Sequence, residues 1–261
     1  IYGIWTVKQI GVWENGETLW SHVIKFEKTS NSLPYWNRGQ YYRAQGKYDL
    51  SLKDYIQAVN INPKNPELYN SRGKTYFDMA MSGKFKAQSR QYLENALNDY
   101  TAGLALENLK KETKAELLIN RGAALGGANK FEESIRDLTE GLTLNPKNKN
   151  GYFNRSIAYY NSQQFDKALA DYNEYLKFDP TNANILYESG MLLRSMNRSE
   201  EAIKQLSKSI QFNPKLGLSF LERGRAYAQS GNKPAAQSDF QQAARLGIQL
   251  TPQEQALANG R

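Results

Sequence analysis

The chain contains no cysteine and a single histidine, His22. The first absence excludes disulfides, thiolate metal ligands and a thiol nucleophile. The second leaves metal or acid–base chemistry without its commonest side chain, because His22 falls in a helix-patterned stretch with no partner at ligand spacing. Apolar runs are short, and none approaches the ~18–20 residues that cross a bilayer. No strand pattern precedes the glycine-containing motifs, so a dinucleotide-binding turn is not supported either. Acidic pairs occur at Glu132-Glu133 and Glu200-Glu201, but both open helical patterns, where they complement the helix dipole. No catalytic role, cofactor or metal is expected. The chain starts at Ile1 instead of methionine, which leads us to expect that an upstream portion has been removed.

What is present is a repeat. Asn120-Arg121-Gly122, Asn154-Arg155-Ser156 and Glu188-Ser189-Gly190 follow one another at intervals of 34 residues, as do Asn145-Pro146, Asp179-Pro180 and Asn213-Pro214. Two helical patterns per period, closed by a proline-marked turn, predict a solenoid whose units bury their apolar faces against neighbours. The expected organisation is a leading segment over 1–31, six repeats over 32–250 and a capping helix over 251–261. Within the leading segment Asn15-Gly16 is a hairpin signal. Leu19, Trp20, Val23, Ile24 and Phe26 are spaced as on a helix, and we expect helix over 15–28 as the second half of a degenerate leading repeat.

The second repeat is swollen. Asp99-Tyr100 lies 27 residues after Arg72, whereas Asp54-Tyr55 lies 16 after Arg38. Eleven residues are therefore inserted, around Met79 to Gln91, and Lys84, Lys86 and Arg90 make that insert basic. Lengthened helices or a longer loop would accommodate it, and a tolerated surface insertion is the plain interpretation. At the other end Pro234 suits a first helical turn, and Thr251-Pro252-Gln253-Glu254 reads as a capping box.

These residues resemble the tetratricopeptide repeat. Its small residue, aromatics, alanines and closing proline fall on Ser156, Tyr159, Ala168, Tyr172 and Pro180 in the fourth repeat, and on Gly39, Tyr42, Ser51, Tyr55, Ala58 and Pro63 in the first. Tyr175 in place of alanine and Met191 to Leu193 depart from the pattern. The resemblance covers about Leu33 to Gly247. It implies an all-α, right-handed superhelical solenoid of antiparallel helix pairs that binds a protein or peptide. Residues 11–38 further resemble the junction in bacterial multi-pass membrane proteins where a glycosyltransferase-like portion gives way to repeats. That second resemblance implies a membrane helix ending near Ile1 to Trp5, attachment through an N-terminal portion, and repeats on the periplasmic side. The repeats would then position substrates for a transferase; a cytoplasmic scaffold is the alternative.

The repeats can also be compared with each other. Arg38, Arg72, Arg121, Arg155 and Arg223 share one register, and Asp54, Asp99, Asp137, Asp171 and Asp239 share another in the following helix. The fifth repeat has lost both, carrying Ser189 and Gln205. Joint loss predicts that guanidinium and carboxylate pair across each helix hairpin, so these arginines serve structure and do not grip phosphate. Nucleic acid is accordingly not the expected partner, although the net charge of +8 would favour it. RNA binding would show steep salt dependence.

In a superhelix of this kind the first helices line the concave face. The register before the arginine holds Asn37, Ser71, Asn120, Asn154, Glu188 and Glu222, and asparagine amides there can pair with the backbone of an extended peptide or within their own helix pair. Neighbouring registers hold Trp36, Asn70, Phe153 and Tyr187, with Gln40, Lys74, Arg43, Tyr160 and Arg194 beyond them. Aromatics with scattered cations suit a peptide with apolar anchors and some acidic character. The carboxylate clamp of some relatives wants lysine and asparagine where this chain has Trp36 and Gln40, so that activity is not expected.

Overall fold

The computed structural model describes residues 13–26 and 30–260. Among them fourteen α-helices and one 3₁₀ turn occur, and no strand. The leading residues assigned to the edge of a membrane helix lie outside this set. None of the described helices is long and apolar enough to cross a membrane. The chain divides into two compact units, Ile1–Pro146 and Lys147–Arg261.

The N-terminal unit begins with α1 (Gly16–Phe26). Asn15 starts it, its side chain accepting from the backbone N–H groups of Glu17 at 2.9 Å and Thr18 at 3.1 Å. The asparagine thus caps a helix instead of opening a hairpin turn. Three helix pairs follow: α2 (Leu33–Ala44) with α3 (Tyr48–Ile61), α4 (Pro66–Met81) with α5 (Ser89–Leu104), and α6 (Lys111–Gly127) with α7 (Phe131–Leu144). The insertion is resolved into longer helices joined by a turn that includes the 3₁₀ segment Lys86–Gln88. The C-terminal unit repeats the plan in α8 (Lys149–Asn161) and α9 (Phe165–Phe178), α10 (Ala183–Ser195) and α11 (Ser199–Phe212), and α12 (Gly217–Gln229) and α13 (Lys233–Arg245). It closes with α14 (Pro252–Ala258), started by a capping box between Thr251 and Glu254.

The turn within five of the six pairs, all but the second, is fixed by the same backbone chemistry. Gly46, Asn129, Gln163, Asn197 and Gly231 all have positive φ. The N–H after each reaches back to a carbonyl five residues earlier, as in Lys47 to Tyr42 at 2.9 Å and Gln164 to Tyr159 at 2.8 Å. This is the hydrogen bond of a Schellman end. Gln163, whose φ is 61°, holds this conformation without the freedom of glycine or the side-chain help of asparagine.

Each pair closes where a small residue of the first helix meets a large one of the second. A Cβ on Gly39, Gly73 or Gly224 would stand 2.8–2.9 Å from the ring of Tyr55, Tyr100 or Phe240, and one on Gly190 would stand 2.5 Å from Leu206 Cγ. The cores are correspondingly local. In the N-terminal unit Ala96, Tyr100, Leu117 and Ala124 form one cluster and Ala58, Val59 and Leu68 another. In the C-terminal unit Ala168, Tyr172, Leu192, Leu193 and Leu206 form the largest. The residues that depart from the repeat pattern pack well there: Tyr175 is 8% exposed, and Leu192 and Leu193 are 1% and 2% exposed.

Candidate functional site

The structure brings every arginine of the repeat register to its aspartate. Nε and Nη2 of the guanidinium donate to the two carboxylate oxygens at 2.8 and 2.8 Å in Arg38–Asp54, 2.9 and 2.6 Å in Arg72–Asp99, 2.6 and 3.0 Å in Arg121–Asp137, 2.7 and 2.8 Å in Arg155–Asp171, and 2.8 and 2.8 Å in Arg223–Asp239. The aspartate side chains are only 5–12% exposed. Sequence comparison missed a third arm. Nη1 of Arg38, Arg121 and Arg223 donates to a hydroxyl of an earlier helix, Ser21 at 2.9 Å, Thr101 at 3.4 Å and Ser207 at 3.0 Å. Each of these guanidinium groups thereby ties a helix pair to the helix before it.

Burial pushes the Asp99 and Asp171 carboxyls above their ordinary value, with Arg72 and Arg155 opposing the rise. The ion pair thus roughly offsets its own desolvation, and the large penalty falls on removing one partner alone. Arg38, Arg121 and Arg223 are held above their usual value chiefly by the hydrogen bond to the paired aspartate.

In the fifth repeat the slot is built differently. Ser189 Oγ and Gln205 Oε1 are two of the three buried side-chain polar atoms without a hydrogen bond among the described residues. A cleft of about 240 Å³ lies beside Gln205 and Asn173. Asn173 stands 16 residues before Ser189, the spacing of Ser207 to Arg223.

The face formed by the first helices carries the residues expected to meet a partner. In the N-terminal unit most of them are bonded to one another. Trp36 Nε1 donates to Ser71 Oγ at 2.8 Å, Arg43 Nε to Asp78 at 2.7 Å, Asn120 Nδ2 to Asn70 Oδ1 at 2.8 Å, and Lys74 Nζ to Glu116 at 2.7 Å. These bonds join the first helices of successive repeats, a use of the asparagines distinct from the two expected, pairing with a peptide backbone or within their own helix pair. Burial raises Glu116, but hydrogen bonds from Lys74 and Asn70 outweigh it and hold the carboxyl low. Asn37 and Gln40 are the predicted contacts here that make no hydrogen bond among the described residues.

In the C-terminal unit a relay runs from Arg194 to Glu222 at 2.6 Å, from Glu222 to Arg225 at 2.6 Å, and from Arg225 to Glu254 at 2.7 Å. It fastens the cap α14 to the last repeat and occupies Arg194. Asn154 and Glu188 have no such partner among the described residues. Burial alone lifts the Glu188 carboxyl above its ordinary value. Ile157 and Tyr160 are 37% and 38% exposed. Ile157 follows Asn154 by three residues and Tyr160 follows Ile157 by three, so each adjoins the one before it along the helix surface. Phe153 packs edge-on against Tyr175 at 6.2 Å, and the Tyr187 hydroxyl lies 3.7 Å from Met191 Sδ. No group of acidic, histidine or cysteine residues among those described could hold a metal, and His22 packs on Phe26 at 4.4 Å between ring centroids.

Sequence models of the repeat match residues 35–79, described as TPR repeat, and residues 150–182 and 183–216, each described as tetratricopeptide repeat. Three stretches of the chain are tetratricopeptide repeats. Among curated proteins it is 31% identical over 111 residues to RNA polymerase II-associated protein 3 of Rattus norvegicus, a stretch that covers 42% of this chain and 15% of that protein. Among solved structures, pilF of Pseudomonas aeruginosa superposes with a TM-score of 0.68 at 18% identity, covering 88% of this chain and 97% of that one. YrrB, described as a TPR protein with an unusual peptide-binding site, superposes with a TM-score of 0.55 at 18% identity over 77% of this chain and 95% of its own. At these identities the structural likeness concerns the fold, and the helical solenoid is common to them. Asn154, Ile157, Tyr160 and Glu188 therefore sit on the first helices of two tetratricopeptide repeats that the family models match individually.

Proposed function

We propose that the chain is a scaffold that holds an extended peptide segment of another protein against the first helices of repeats four and five. The observation that carries this reading is the pattern of unmet hydrogen-bonding capacity. In the N-terminal unit the corresponding side chains are largely consumed by bonds between first helices. In repeats four and five Asn154 and Glu188 remain available beside the exposed Ile157 and Tyr160. An asparagine amide offers both donor and acceptor to a peptide backbone. An unpartnered, half-buried carboxylate is stabilised by any N–H or ammonium brought to it. Ile157 and Tyr160 supply the apolar contact on which most binding energy would rest. The peptide so described has apolar anchors and presents a hydrogen-bond donor to Glu188; an acidic residue at that point would be repelled.

Peptides selected by phage display on the purified chain provide the test. Their affinities would be compared by calorimetry for the wild type, Asn154→Ala/Tyr160→Ala and Asn120→Ala. The expected result is a loss of about tenfold or more in the double variant, as for truncation of an interface anchor. Asn120→Ala, whose amide is already bonded to Asn70, should bind like the wild type. Selected peptides that bind the double variant as tightly as the wild type would place the site elsewhere.

A further inference from the structure

The insertion in the second repeat creates a feature that its sister repeats lack. By carrying α4 to Met81 and starting α5 at Ser89, it brings this helix pair against the end of α6. They meet at Gly127, where a Cβ would stand 3.4 Å from both Met81 and Leu93. A cleft of about 750 Å³ lies between α5 and the Gly127–Lys130 turn. That volume is within the range of ligand-binding clefts.

Leu93 and Leu97, one helical turn apart, contribute its apolar floor, and Lys86, Arg90 and Lys130 its exposed rim. Lys86 and Arg90 make no ion pair among the described residues. Lys130 reaches only Glu133, at 3.9 Å, in an exposed contact of little energetic worth. Glu94 is the sole carboxylate in the lining. Three cations converge on an apolar floor with almost no internal neutralisation.

We propose that this cleft is a second docking site, separate from the first-helix face, for an acidic peptide segment of a partner protein. The partner's carboxylates would pair with Lys86, Arg90 and Lys130, and an apolar side chain between them would rest on Leu93 and Leu97. Charge complementarity fixes the sign of the occupant. The floor fixes its class: leucines suit an aliphatic side chain, whereas the lining holds no aromatic on which a nucleic-acid base could stack.

The test is fluorescence anisotropy with a fluorescein-labelled peptide of alternating glutamate and leucine, run beside a labelled oligouridylate of equal charge. Both probes are titrated with the wild type, Lys86→Glu/Arg90→Glu/Lys130→Glu, Leu97→Ser and Asn154→Ala/Glu188→Gln. All three cations are exposed, so the triple variant should keep the wild-type circular dichroism and Tm. The peptide is expected to bind the wild type saturably, to weaken about tenfold or more in the triple variant, and to weaken by a smaller factor in Leu97→Ser. Asn154→Ala/Glu188→Gln should bind it unchanged, which separates this site from the one on the first-helix face. Equal affinity of wild type and triple variant, absence of saturable binding, or tighter binding of the oligouridylate than of the peptide would each overturn the proposal.

Discussion

Repeats four and five are adjacent, share a unit and differ at one internal joint. In repeat four Arg155 forks onto Asp171 at 2.7 and 2.8 Å, and its guanidinium also lies 5.7 Å from the ring centres of Tyr152 and Tyr159. In repeat five the same positions are Ser189, Gln205, Leu186 and Leu193. The two leucines are each 2% exposed, so the joint is closed by apolar packing and its two polar groups are left without partners. Both repeats have the same helix lengths and the same positive-φ turn, at Gln163 and Asn197. The ion pair is therefore not what makes the hairpin. Once one member is present, however, the other becomes obligatory, because a lone buried charge has no compensation.

Removing one partner should separate the two repeats most sharply. Arg155→Ala strands Asp171, whose side chain is 5% exposed, and should cost ~3–5 kcal/mol by denaturant unfolding. Ser189→Ala at the equivalent position removes a hydroxyl that bonds nothing. It should change stability by at most ~0.5 kcal/mol. Similar losses in both variants would mean that the ion pair is not the difference between the joints.

A smaller effect is expected at the close approach that repeat five shares with its neighbours. Gly190→Ala puts a methyl group 2.5 Å from Leu206 Cγ and should cost ~1–3 kcal/mol through overpacking. Repeat four already carries a side chain in this register, Ser156, and has Tyr172 where repeat five has Leu206. The reverse change, Ser156→Gly, should therefore fail to stabilise that repeat by more than about 1 kcal/mol relative to wild type, given the flexibility of glycine in a helix. Thermal unfolding of both variants checks the pair.

Converting one joint into the other comes next. Ser189→Arg and Gln205→Asp should each destabilise alone, and the double variant should recover part of the loss, with a coupling energy of ~0.5–3 kcal/mol in a double-mutant cycle. Additive losses would show that the leucine-lined joint of repeat five cannot hold the fork.

The smallest effect concerns Glu188, which repeat four matches with the neutral Asn154. Its carboxyl is raised by burial, so the native state holds a proton more tightly than the unfolded chain does. Native stability from this group is complete below the ordinary glutamate range and is lost as pH rises through the raised value. Glu188→Gln should therefore raise Tm modestly at neutral pH and leave it unchanged below about pH 4. A gain that persists in acid would assign the effect to shape, not charge.

Much of this was legible in the sequence, for identifiable reasons. The 34-residue period exposed the helix pairs because every repeat must solve the same packing problem with the same residue types. The parallel loss of arginine and aspartate in repeat five identified the ion pairs, since two groups that depend on one another vanish together. The third arm to Ser21, Thr101 and Ser207 was not legible. A hydroxyl is a common surface residue, and its spacing to the arginine ranges from 16 to 20 residues. Nor was the state of the first-helix face. Register places Ser71, Asn120 and Arg194 on it, together with Trp36, Asn70 and Glu222, but does not say which of them engage one another.

By itself, then, the chain's periodicity determined the repeat, the order of helices, the small residues at each crossing and the partners within each hairpin, all of which depend on residues at fixed separations along one or two helices. The tertiary structure alone decided which polar groups on the first-helix face are bonded to one another and which make no hydrogen bond among the described residues. It also decided that the basic insertion lines a cleft together with a neighbouring turn. Those outcomes depend on distances between side chains 28 to 50 residues apart, set by how one repeat rests on the next, and no linear pattern encodes them.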